Sequence, residues 1–201
     1  MTTTPAAPAA PAPAGAAGAG ASRPRVPDHV LGLATPHLRR PAEVDAAAAR
    51  VAAVDGLPAG VLVASSLVPG PPQHLGLVVL SPELLTDDVA AAVAAAAGAA
   101  GPGRDVARRA AAGTADRVAV FPGREGLVGV VRVGDVLATS AVEALVGLGG
   151  LAVPEDAELE TRGHVRPRLE DGRLVLDVQP ARGGRWVPFE PPVQHVCCSA
   201  H

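Results

Sequence analysis

The spacing of apolar and turn-forming residues predicts three β-hairpins. Two apolar runs, 60–67 and 74–80, flank the segment VPGPPQ, whose proline and glycine residues favour a turn. A second hairpin is predicted at 117–133, where FPGREG separates two β-branched runs. A third is predicted at 162–178, because Asp171-Gly172 joins two extended runs and apolar residues alternate in the second of them. These hairpins supply most of the strands that we expect.

Two helices are predicted before the second hairpin, and a third candidate follows them. The segment 41–54 is rich in alanine, has a proline in its first turn and places three valines near one face: Val44, Val51 and Val54. Another helix begins at Ser81 or at Thr86 and ends near Ala97, and we expect its larger apolar residues to face inward: Leu84, Leu85, Val89 and Val93. The segment 104–112 is expected to form a short helix with an exposed arginine face.

The stretch 116–150 indicates a strand, a turn, a strand and then a helix. In this interpretation Gly134-Asp135 ends the second strand, and Thr139 or Ser140 caps a helix over 141–148. Gly149-Gly150 then ends that helix. We therefore expect a folding unit here, which by itself implies no function.

The whole pattern favours an α+β fold in a single domain of mainly antiparallel hairpins with two to four packed helices. Residues 1–27 alternate proline, alanine and glycine without a hydrophobic period and are predicted to form a disordered Pro/Ala-rich tail. The globular domain is placed at 28–190, and 191–201 is assigned as a C-terminal Cys/His segment. A chain of 201 residues is long enough for one such core and too short for two ordinary ones.

Composition argues against two classes of partner. The net charge is -3, all 17 basic residues are arginine, and aromatic residues make up 1% of the chain, so neither clustered positive charge nor base-stacking platforms point to nucleic acid. No apolar run is long enough for a membrane span. The N-terminus does not resemble a secretory signal, and we therefore expect a cytoplasmic protein. The abundance of Ala, Gly, Pro, Val and Arg is typical of a bacterium with G+C-rich coding sequences.

The C-terminal segment contains the most distinctive candidate chemistry. It places both cysteines and two of the six histidines within seven residues: His195, Cys197, Cys198 and His201. Thiolate and imidazole are the ligands that Zn²⁺ and Cu(I) select, and four of them are enough for a tetrahedral site. Because closed sites usually draw ligands from two separate chain segments, a distant residue such as His164 is expected to join them. Binding of zinc or copper is therefore our leading hypothesis.

Two alternatives remain open for the same segment. Protonated histidine or arginine lowers the pKa of a nearby cysteine, so the thiol pair is also compatible with redox chemistry or with a thiol-dependent enzyme. Terminal residues are often without function, which is the third interpretation. No catalytic residue is assigned from the sequence.

The stretch GLVGVVRVGDVL, residues 126–137, resembles the latter half of a CBS-domain repeat. In that family an apolar strand ends in a Thr-x-x-Asp turn before a helix, and the Thr and Asp contact the ribose and phosphate of adenine nucleotides. Asp135 matches the Asp, whereas Arg132 stands in the Thr position and no second copy of the repeat occurs. The resemblance implies an adenine-nucleotide or small-anion sensor with Arg132 and Asp135 as ligand-binding residues.

Other polar groups have simpler explanations. Ser65-Ser66 and His74 lack a nucleophile-elbow motif and are expected at ordinary strand ends, and Asp87-Asp88 suits a helix start. His164 shares a predicted strand with arginines at 162, 166 and 168, and that face suits either a small anionic ligand or an acidic protein partner.

Overall fold

The computed structural model describes residues 27–192, and it confirms the α+β class and the single antiparallel-rich domain. Within that range there are four α-helices and eleven strands. The helices are α1 (Pro41–Ala52), α2 (Asp87–Ala97), α3 (Arg104–Ala111) and α4 (Val133–Thr139). The predicted tail and the Cys/His segment from 193 onward lie outside the described residues.

The first sheet contains five strands in the order β4-β1-β3-β2-β5. They are β1 (His29–Ala34), β2 (Leu62–Val68), β3 (His74–Ser81), β4 (Gly101–Pro102) and β5 (Arg117–Val120). All of its pairings are antiparallel. The predicted hairpin at 60–80 is confirmed as β2 and β3, which pair from Leu62 opposite Leu80 to Val68 opposite His74.

The second sheet has the order β6-β8-β11-β10-β7, with β9 paired to β10. Its strands are β6 (Val130–Arg132), β7 (Val142–Gly147), β8 (Glu158–Glu160), β9 (Arg168–Glu170), β10 (Arg173–Pro180) and β11 (Trp186–Pro188). The predicted Asp-Gly hairpin is confirmed between β9 and β10, and both turn residues have positive φ, 48° at Asp171 and 76° at Gly172. This is the geometry of the tight turns that Asp-Gly favours. Residues 161–167, expected to extend the first strand, form a loop instead.

The core lies on both faces of the first sheet. Alternate residues of β3 point to opposite sides, so Leu77 and Val79 pack against α1 and α2 while Val78 and Leu80 face α3 and the second sheet. The helical side is lined by small residues such as Ala47 and Ala48 of α1. The other side contains the buried Phe121, Leu159 and Leu176. Each sheet therefore contributes one face to a shared apolar layer.

The predicted hairpin at 117–133 is wrong, because its two halves belong to different sheets. β5 pairs with β2, Val63 opposite Val120, whereas β6 pairs with β8, Val131 opposite Leu159. The turn at 121–126 contains the expected residues and a short 3-10 helix, Arg124–Gly126. This turn leads the chain from the first sheet, where β5 pairs with the edge of β2, to the second sheet, where β6 pairs with β8.

The helix predicted over 141–148 is also wrong. The helix lies earlier, at 133–139, and the later segment is β7, which runs parallel to β10 with Leu145 opposite Leu176. Ser140 ends α4 instead of starting a helix, because its Oγ donates to Val136 O at 2.7 Å and accepts from Val142 N at 3.2 Å. Pairing with β10 outweighs the local helix propensity of this segment.

Two smaller points concern α2. Of the two predicted starts, Thr86 is the observed cap, since its Oγ1 accepts from Val89 N, whereas Ser81 ends β3. Leu84 is 77% exposed and does not face inward. The helices at 41–52 and 104–111 agree with the prediction, and Val44 and Val51 are fully buried.

Candidate functional site

Five ionisable side chains from remote parts of the chain meet in one partly buried group, which we call the charged cluster. Asp45 comes from α1, Arg117 begins β5, His164 and Arg166 lie on the loop between β8 and β9, and Glu190 follows β11. Arg117 faces α1 because it alternates with Val118, which points to the other core. The charged cluster thus joins the helical layer to both sheets.

Arg117 is at the centre of the charged cluster. Its Nη1 and Nη2 donate to the two oxygens of Asp45 at 2.7 and 2.8 Å, and its Nε donates to Glu190 at 2.7 and 2.9 Å. Arg166 donates from Nε to Asp45 at 2.9 Å and from Nη1 to the carbonyl of Val165 at 2.8 Å. Planar, two-pronged contacts of this kind fix both distance and orientation.

The charges shift one another's pKa values. Burial alone would raise the pKa of Asp45, but the hydrogen bonds and charges of Arg117 and Arg166 outweigh it and lower the pKa to about 2. Burial opposes ionisation of Glu190 as well, yet hydrogen bonds from His164 and Arg117 hold the pKa of Glu190 below its usual value. Both carboxylates are therefore ionised at neutral pH, and Arg117 is held in its charged form.

A tight turn fixes the position of His164. Thr161 is fully buried, and its backbone N and its Oγ1 both donate to Gly129 O, at 2.8 and 3.0 Å. The backbone N of His164 donates to Thr161 O at 2.9 Å, across Arg162 and Gly163, which have φ of 55° and 64°. The chain therefore enters the charged cluster at a defined point, and His164 is 9% exposed.

His164 has one ring nitrogen occupied. Its Nε2 lies 3.1 Å from Glu190 Oε1. Among residues 27–192 its Nδ1 has no hydrogen-bond partner. This nitrogen is not one of the fully buried polar atoms without a partner, which in this range are represented by Ser66 Oγ alone. A carboxylate that accepts from one ring nitrogen fixes the tautomer and leaves the other nitrogen as an acceptor or a metal ligand.

The residues predicted from the sequence are only partly brought together. His164 is in the charged cluster, whereas His195, Cys197, Cys198 and His201 lie outside the described residues. Arg132 and Asp135 are exposed at the junction of β6 and α4, and their side chains form no hydrogen bond or ion pair within the described range. Their predicted role in ligand binding stays a prediction. In the described part of the chain, no group of three or more His, Cys, Asp and Glu side chains is placed to hold a metal ion.

Sequence reasoning missed Asp45, Arg117 and Glu190. A signal did exist at Arg117, since alternation in Arg117–Val120 places an arginine on the same buried face as Ala119. Asp45 and Glu190 carry no comparable signal, because their common partner Arg117 is 72 and 73 residues away. Ser66 is fully buried within β2, so it is not an accessible nucleophile.

Comparison with known proteins does not add to this description. No protein-family model matches the chain, and no curated protein and no solved structure matches it. None of the helices between residues 27 and 192 is long and apolar enough to cross a membrane.

Proposed function

We propose that the protein binds a zinc or copper ion through the C-terminal His195, Cys197, Cys198 and His201, with His164 as the ligand from the folded domain. The observation that supports this is the contact between His164 and Glu190. A histidine that binds metal almost always donates its other ring N–H to a carboxylate or carbonyl, which orients the ring and raises its basicity. The 3.1 Å contact from Nε2 to Glu190 is of this kind and leaves Nδ1 for a metal.

Chain connectivity brings the two sets of ligands within reach. Glu190 precedes His195 by five residues, and an extended chain spans about 3.5 Å per residue, so the two Cα atoms are separated by at most about 18 Å. Glu190 itself is anchored by Arg117. The Cys/His segment is therefore joined by a short stretch of chain to the residue that orients His164. Cysteine ligands favour Zn²⁺ and Cu(I) over hard cations such as Mg²⁺.

The first test is metal content measured by elemental analysis beside a thiol titration. We expect near-stoichiometric zinc or copper in the full-length protein and none after truncation at Pro192 or in the double variant Cys197→Ser, Cys198→Ser. His164→Ala should lower metal affinity, while His74→Ala, a change of the same kind in β3, should not. Metal retained in the double cysteine variant would contradict the proposal.

A second pair of variants tests whether Glu190 orients His164 for metal binding or only stabilises the fold. Glu190→Gln removes the carboxylate beside His164 and should weaken metal binding about 10- to 100-fold. Asp45→Asn disturbs the same charged cluster without touching His164 and should leave metal affinity unchanged in the folded protein. Equal loss in both variants would mean that the cluster acts only on folding. Asp135→Ala should also retain the metal, since it changes only the nucleotide site implied by the CBS resemblance.

A further inference from the structure

A cleft of about 320 Å³ lies where the first sheet meets the second, away from the charged cluster. Its walls come from the start of β2, the ends of β9 and β10 and the segment before β7, and they include Leu62, Pro122, Leu169 and Leu174. Glu143 of β7 is the only ionisable residue among the described residues that line it. The cleft is therefore lined by apolar residues and one negatively charged side chain, Glu143.

Glu143 is largely buried but lacks the contacts that the partly buried Asp45 and Glu190 have. Its side chain is 12% exposed, compared with 24% for Asp45 and 23% for Glu190. Asp45 and Glu190 each accept three hydrogen bonds from side chains, whereas Glu143 accepts none from residues 27–192. Among the described residues its nearest cationic group is Arg173, whose Nε lies 3.8 Å from Glu143 Oε2, too far for a hydrogen bond. A carboxylate removed from water in this way is stabilised by a cation that donates to it.

We propose that this cleft binds a small apolar molecule that carries one ammonium group, with the ammonium donating to Glu143. The volume falls in the range of small-molecule sites, about 300–1,000 Å³, and is enough for an arylalkyl or alkyl amine. The leucine and proline side chains bury the hydrocarbon part of the ligand. Charge-assisted hydrogen bonds to the carboxylate select an amine over a neutral or anionic molecule of the same shape.

The test is calorimetric titration of the full-length protein with three probes of one shape: phenylbutylamine, phenylbutanol and phenylbutyrate. We expect the amine to bind at least about tenfold more tightly than the alcohol, and phenylbutyrate to bind most weakly. In Glu143→Gln the preference for the amine should disappear, while the alcohol binds as before. Glu155→Gln makes the same change at an exposed glutamate and should leave all three affinities unaltered.

A second variant tests the cleft itself. Ala141→Leu places a larger side chain in the lining and should weaken both the amine and the alcohol, with the fold checked by circular dichroism. Three results would overturn the proposal: no saturable amine binding at millimolar concentration, equal affinity for amine and alcohol, or an amine affinity that Glu143→Gln does not change. Arg23 and Arg25 precede Pro27, which lines the cleft, and could supply the cation for Glu143 themselves. An amine that binds only after both are changed to Gln would therefore also overturn the proposal, by showing that the N-terminal segment of the chain occupies the site.

Discussion

Arg117 donates a hydrogen bond from each terminal nitrogen to a different oxygen of Asp45, at 2.7 and 2.8 Å, although 72 residues separate them. The pair joins β5 to α1, and the side chain of Arg117 is 10% exposed. An ion pair at this depth adds little net stability compared with apolar packing, but removing one partner leaves an uncompensated charge. We therefore expect single substitutions that remove one charge of the charged cluster to lower the stability of the protein strongly.

Arg117→Ala should lower the free energy of unfolding by about 3 kcal/mol, because Asp45 and Glu190 lose their shared cation. Urea denaturation followed by circular dichroism measures this. Arg108→Ala removes an arginine that is 78% exposed and, within residues 27–192, pairs only with Asp105, and it should give no measurable change. Equal effects in the two variants would show that Arg117 contributes no more than a surface charge.

Stability should fall in acid because of Asp45. The carboxylate has a pKa of about 2 in the native protein and 3.8 ordinarily, so the unfolded chain takes up the proton first as the pH falls. The stabilisation is complete above about pH 4 and is lost as the pH falls towards 2, and it amounts to about 2 kcal/mol. Denaturation midpoints measured across this range should decline in the wild type. In Asp45→Asn, which is less stable at neutral pH, the decline should be shallower; an unchanged slope would assign the acid sensitivity to other groups.

Gly123→Ala should destabilise the protein by about 2–4 kcal/mol. Gly123 has a φ of 79°, and an added Cβ would lie 2.2 Å from Thr139 O and 2.5 Å from Ser140 Cα. Both the positive φ and the backbone contact oppose a side chain. Gly126 is three residues away in the same turn, lacks a positive φ and has no atom within 4 Å of an added Cβ. Gly126→Ala should therefore change thermal stability little, and a similar loss in both variants would contradict this explanation.

Ser66→Ala should stabilise the protein by about 1 kcal/mol. Ser66 is fully buried, and its Oγ has no hydrogen-bond partner among the described residues. Thr35 is an opposite case, since its buried Oγ1 donates to Leu75 O at 2.7 Å. Thr35→Val should cost about 1 kcal/mol because it leaves that carbonyl without its donor. Chemical denaturation of both variants provides the comparison, and destabilisation by Ser66→Ala would indicate that its hydroxyl is satisfied.

Local signals in the sequence determined several elements correctly. The Asp171-Gly172 turn specifies its hairpin because few other residues adopt two successive positive φ values. Pro41 starts α1 because a proline fits the first helical position, where the missing N–H would have no partner in the helix. Thr86 caps α2 because its Oγ1 accepts from a backbone N–H of the first turn. The fold class follows from these elements, because hairpins and short helices alternate along the chain.

Other features were decided only by the tertiary structure. Residues 142–147 have acceptable helix propensity, yet they form a strand because β10 pairs with them from Val142 to Gly147, with one register shift at Glu143. The two strands around Gly123 join different sheets for the same reason: their partners, β2 and β8, are remote in sequence. The sequence alone identified His164 as a candidate ligand through its residue type. Its pairing with Glu190, and the meeting of Asp45 with Arg117, required the folded chain, because such contacts depend on the packing of distant elements and leave no periodic pattern.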